Sequence, residues 1–193
     1  MTVTVPDSAE KPYQKKSGFV ESCFDWTEAV ITALIAVMVL FVFLARVNVV
    51  VDGPSMEPNY YNGYRVFVNC VDRNFSRGDV VVIDANGTQL KERLIKRVVA
   101  TEGQTVDIDS ASGYVTIDGK ELDESAYVRN GITAQTGSAK FPVKVPKGCV
   151  FVLGDNRTVS KDSRFAEVGM VGTKYLIGKV QFLLNPFHGF RAP

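Results

Sequence analysis

A serine turn, a lysine strand and a polar loop hold the side chains most capable of chemistry in this 193-residue chain. The turn is Gly53-Pro54-Ser55-Met56-Glu57-Pro58. Two prolines and a glycine within six residues exclude a helix interior and a central strand. They leave a stiff turn that presents Ser55 and Met56. A serine hydroxyl becomes a nucleophile only beside a base. His188 is the sole histidine and stands in the aromatic tail Asn185-Pro186-Phe187-His188-Gly189-Phe190, where a structural role is the commoner one. Lysine is therefore the better candidate base.

A lysine can act as a base only if its ammonium is desolvated. Holding it neutral at pH 7 costs about 4.6 kcal/mol against its ordinary pKa, and burial or a cationic neighbour can supply a shift of that size. Lys96 fits best, in Leu94-Ile95-Lys96-Arg97-Val98-Val99. Strand alternation groups it with Leu94 and Val98, and groups Arg97 with Ile95 and Val99. The pattern fits a buried amine of depressed pKa, and fits equally a lysine on an edge strand reaching to solvent. The third stretch, Gly154-Asp155-Asn156-Arg157-Thr158-Val159-Ser160-Lys161-Asp162-Ser163-Arg164, follows the apolar run Val150–Leu153. Its charges and hydroxyls are dense enough to satisfy one another as a loop.

The elements that must hold these residues are mostly strands. Tyr64–Val68 alternates, and Asp79–Asp84 reads as a short buried strand. Further candidates are 90–100, 105–108, 114–117, 150–153 and 175–184. Asn86-Gly87 and Asp118-Gly119 are hairpin-type turns. Residues 123–148, rich in Gly and Pro, read as a long irregular excursion, and 163–168 as one helical turn. The fold class expected is mainly β, an antiparallel sheet domain with few short helices, preceded by one N-terminal transmembrane helix.

That helix is read from residues 26–45, since Ala29 to Ala45 carries no charge. About 20 apolar residues cross a hydrocarbon core of about 30 Å. A cleavable leader is disfavoured by the length of the run and by bulky Phe43 ahead of Ala45. The expected organisation is a cytoplasmic tail (1–25), an anchor (26–45) and an extracytoplasmic domain (46–193). Lys11, Lys15 and Lys16 before the run, against Arg46 after it, orient the N-terminus towards the cytoplasm. Ser55 lies nine residues beyond Arg46, at most about 30 Å when extended, and so close to the membrane.

Composition removes several classes. Net charge is +1, and residues 46–193 hold 19 basic and 16 acidic residues, too mild a balance to argue for nucleic acid but compatible with anionic lipid. Cys23, Cys70 and Cys149 have no Cys-x-x-Cys spacing, and with one histidine no zinc site can be built on usual lines. Cys70 and Cys149 read as buried thiols, although a pairing between them is open.

In this order and spacing the chain resembles type I signal peptidases, in their short single-anchor bacterial form. The resemblance covers about residues 26–184: the apolar run, the Ser55 turn, Arg77-Gly78-Asp79-Val80-Val81, Ile95-Lys96-Arg97-Val98 and the Gly154–Arg164 loop. It implies Ser55 as nucleophile and Lys96 as general base. Ser160 would orient the lysine, Asp162 and Arg164 would form an ion pair beside the site, and Asp155 and Asn156 would support it. Met56 would line the substrate wall. The Ser55 backbone N–H would hold the oxyanion, with the second donor unassigned because Gly53 stands where some relatives carry a serine. The implied partners are signal-peptide-bearing preproteins and membrane lipid. Neither cofactor nor metal is required, and the protein is expected to act as a monomer. A same-fold membrane-anchored pilus assembly factor, or a peptidase narrowed to pilins, is the alternative.

Overall fold

The computed structural model describes residues 18–44, 48–128, 132–133, 136–185 and 189–191. The chain divides into two compact units, Met1–Leu44 and Ala45–Pro193. The first contains one helix, α1 (Phe19–Leu44), whose side chains are described from 23 to 39. Among the described residues no helix is long and apolar enough to cross a membrane. The span read from sequence, 26–45, continues past them into residues whose side chains lie outside the description. The flanking Lys11, Lys15, Lys16 and Arg46, and His188, also lie outside the described residues.

Among the described residues the strands of the second unit all pair antiparallel. In chain order its strands are β1 (Asn48–Val50), β2 (Arg65–Asn69), β3 (Val80–Ile83), β4 (Leu94–Thr101), β5 (Thr105–Ile108), β6 (Val115–Ile117), β7 (Lys120–Glu121), β8 (Val143–Lys144), β9 (Cys149–Leu153), β10 (Val171–Gly172), β11 (Leu176–Asn185) and β12 (Gly189–Arg191). The large sheet runs β1-β2-β11-β3-β4-β9-β10, with β12 on β11, and a smaller sheet runs β7-β6-β5-β8.

β3 explains why the large sheet has core on both faces. Its four residues, Val80 to Ile83, are all buried. Val80 and Val82 pack with Val51, Met56, Tyr60 and Ile95 on one side, while Val81 and Ile83 pack with Val98, Val152 and Leu176 on the other. A continuous run of branched apolar residues suits a strand covered on both faces. β4 lies beside it, between β3 and β9, so Lys96 is on an interior strand and faces Val81 in register. Burying an amine there requires hydrogen-bond partners.

Several details differ from the sequence reading. Asp118-Gly119 does close a hairpin between β6 and β7, with both φ angles positive (52° and 78°). Asn86-Gly87 instead belongs to a 3-10 turn, Ala85–Gly87, because the Asp84 side chain accepts the Asn86 N–H and winds the backbone. The stretch 163–168 forms consecutive turns, in which the Phe165 and Val168 amides reach back three residues, to Asp162 and Phe165, and the Gly169 amide reaches back four, to Phe165, closing a single helical turn. The sequence reading lacks β1, β8, β10 and β12, whose two or three residues carry little pattern of their own. Cys70 and Cys149 are both free and half-buried.

Candidate active site

The Ser55 turn is braced from two directions. Gly53 adopts φ +82°, a left-handed conformation that favours glycine, and its N–H donates to Asn62 Oδ1 at 3.1 Å. The Asn59 and Tyr60 amides both donate to Met56 O, at 3.1 and 2.9 Å, which curls the chain behind the serine. Across the site, the Asn156 N–H donates to Ser55 O at 3.0 Å, and Asn156 Nδ2 to Pro54 O at 3.2 Å. The turn is thus sutured to the polar loop, a contact across about a hundred residues of sequence.

Lys96 Nζ donates to Ser55 Oγ at 2.9 Å and to Ile95 O at 2.9 Å. The lysine is 2% exposed. Burial pushes its amine down from the ordinary 10.5 to about 8. The carboxylates of Asp162 and Asp155 oppose that fall, and the Arg164 guanidinium assists it. Close approach of a hydroxyl to an amine that can shed its proton near neutrality permits base-assisted attack by oxygen.

The polar loop is held by paired charges. Arg164 Nε and Nη2 donate to Asp162 Oδ1 and Oδ2 at 2.8 and 2.9 Å, and both side chains are fully buried. Asp162 Oδ2 also accepts the Gly154 N–H at 3.0 Å. Gly154 has no room for a side chain: a methyl there would overlap Ser160 Oγ and the Ser55 carbonyl. Ser160 is buried, and among the described residues its hydroxyl has no hydrogen-bond partner. It lies against Gly154 without a hydrogen bond to Lys96. Asp155, also buried, accepts Arg97 Nε and Nη2 at 2.8 Å each, and Asn59 Nδ2 at 2.8 Å.

Ser55 and Lys96 open onto a groove of about 450 Å³, walled by Val49–Asp52 and Met56 on one side and Glu92–Ile95 on the other. Met56 is 1% exposed, so it forms the floor where that groove meets the core. Among the described residues the Ser55 N–H donates to no protein acceptor, while the Gly53 N–H is already engaged. No group of His, Cys, Asp and Glu among the described residues could hold a metal ion.

Reasoning from sequence missed the outer ring of this site. Arg97 had a visible signal, a charge beside Lys96 inside an apolar strand. Asn59, Glu124 and Tyr127 had none, because they come from a turn and from the excursion.

The family model described as signal peptidase, peptidase S26, matches residues 23–185. Signal peptidase I of Bacillus licheniformis is 35% identical over 190 residues, covering 94% of this chain and 97% of that protein. Signal peptidase I of Bacillus amyloliquefaciens is 33% identical over 199 residues, covering 99% and 98%. A crystal structure of a signal peptidase I from Enterococcus faecalis V583 aligns at 29% identity with a TM-score of 0.45, covering 55% of this chain and 97% of that one. The chain therefore belongs to the signal peptidase family, peptidase S26, and is a hydrolase of that family.

Proposed function

We propose that the chain is a membrane-bound serine endopeptidase that removes N-terminal signal peptides from secreted precursors with a Ser55/Lys96 dyad. The observation that carries this reading is the 2.9 Å bond between Lys96 Nζ and Ser55 Oγ, made by an amine with a pKa lowered to about 8. The precursor lies extended in the groove beside Ser55, with small side chains before the scissile bond. Neutral Lys96 accepts the Ser55 proton as Oγ attacks the carbonyl carbon. The C–N bond breaks, the leaving amine takes the proton from Lys96, and an acyl-enzyme remains. Water then attacks the ester carbonyl, Lys96 takes its proton, and Ser55 leaves with a proton returned.

Supporting groups have definite tasks in this scheme. The Ser55 N–H, free of a protein acceptor among the described residues, stabilises the oxyanion. Ser160, with its unpartnered hydroxyl, accepts a bond from the amine as it turns from Ser55 to the leaving group. Asp162–Arg164 and Arg97–Asp155 hold the loop and the strand in register, with Asn156 tying the loop to Ser55. In the same reading the N-terminal segment anchors the chain with its tail in the cytoplasm, so that residues 46–193 work at the outer membrane surface. The test uses the full-length chain in detergent or vesicles, with a precursor carrying an Ala-x-Ala site. Ser55→Ala and Lys96→Ala should each abolish cleavage, and retained cleavage by either purified variant would falsify the dyad.

A further inference from the structure

We infer that Glu124 is a positioning residue for this reaction, holding the 154–164 loop against Ser55 and Lys96 through the buried guanidinium of Arg157. The inference rests on the dyad reading above and adds to it a residue outside the serine, lysine and loop stretches. Glu124 lies in the excursion that sequence left irregular, yet it is 3% exposed, as is Arg157. Arg157 Nη1 donates to Glu124 Oε2 at 2.6 Å, and Nη2 donates to Oε1. This two-point fork, with Thr133 Oγ1 also accepting Nη1, fixes the plane of the guanidinium.

The third donor carries that fixed plane into the site. Arg157 Nε donates to Gly154 O at 3.0 Å. Gly154 is wedged between the Ser160 hydroxyl and the Ser55 carbonyl with no spare space. A shift of the guanidinium therefore displaces Gly154, and Gly154 cannot move without moving Ser160 and Ser55. The same short turn grips the site twice more. Tyr127 O accepts Asn59 Nδ2 at 2.8 Å, and the Arg97 guanidinium stacks 4.4 Å from the centre of the Tyr127 ring. The Tyr127 hydroxyl closes the circuit by donating to Glu124 Oε1 at 3.1 Å.

A buried ion pair is weak support for stability, because desolvating two charges offsets their attraction. Its value here is geometric. Lys96 is faced by Asp162, Asp155 and Arg164, all from the loop that Arg157 restrains. Loosening that loop admits water to Nζ and returns the amine towards its ordinary range.

The test compares wild type, Glu124→Gln and the double variant Glu124→Gln/Arg157→Gln as full-length protein, with folding checked by circular dichroism. The double variant removes the unpaired buried charge that could prevent the single one from folding. In a folded variant kcat should fall about a hundredfold, the cost of a misplacement near 1 Å, with KM changed by less than about threefold. The rising limb of the pH–kcat profile should move up by about one pH unit, which a purely structural role would not produce. A folded variant with wild-type kcat and an unmoved limb overturns the inference, and so does failure of both variants to fold. Activity surviving in Ser55→Ala would instead overturn the underlying dyad.

Discussion

Replacing Lys96 by methionine should inactivate the chain and stabilise it at the same time. Burial lowers the amine from 10.5 to about 8, a shift equivalent to about 3 kcal/mol of penalty on the charged form. Below pH 8 the lysine is charged both folded and unfolded, so the folded state carries the whole penalty. As pH rises from 8 to 10.5 the folded chain gives up this proton first, and stability climbs. Methionine fills a similar volume without the charge. It also forfeits the bonds to Ser55 Oγ, which water can replace in the open groove, and to Ile95 O, a loss of about 1 kcal/mol in all. The net gain is about 2 kcal/mol at pH 6, or about 4–8 °C in Tm for a domain of this size. By pH 9 wild type recovers about 1 kcal/mol and the gap narrows. Thermal and urea unfolding of both proteins from pH 6 to 9 measures the difference directly. The activity of wild type should follow the same titration, rising about tenfold per pH unit from 6 and levelling above 8. A methionine variant less stable than wild type at pH 6, or a rate still climbing near pH 10, would refute the account of Lys96 as a buried, easily neutralised base.

Other substitutions probe the supporting groups. Asp162→Asn takes the Asp162 carboxylate away from the fully buried Arg164 guanidinium, and urea unfolding should report a loss of about 3–5 kcal/mol. Gly154→Ala drives a methyl into Ser160 and the Ser55 carbonyl, so kcat should drop about a hundredfold in the protein that folds, measured on the same precursor. Arg97→Lys cannot reproduce the two-point bond to Asp155 together with the bond to Gly78 O, and should cost about 2–3 kcal/mol in thermal unfolding despite keeping its charge.

Much of the fold was legible because burial leaves a local trace. The branched apolar run Val80–Ile83 reads as a covered strand, and Asp118-Gly119 as a tight reversal. The short strands β1, β8, β10 and β12 left no such trace, and Asn86-Gly87 misled because a neighbouring aspartate captured its amide. The chain order of the serine turn, the lysine strand and the polar loop was likewise open to reading, since each has a distinctive composition.

By itself the sequence determined which residue types were available for chemistry: a presented serine, a lysine among apolar neighbours and a single histidine in the tail. It could not decide between a buried Lys96 and one reaching to solvent, because alternation tells which face a side chain shares and not what covers that face. Only the tertiary structure decided this, by setting β4 between β3 and β9 and packing the 154–164 loop over its end. Tertiary structure alone brought Glu124 and Tyr127 to the rear of the site. Burial, and the pKa it shifts, belongs to the whole packed domain, whereas residue identity is local. The serine was readable as a candidate from its turn, and its base emerged only from what surrounds the lysine.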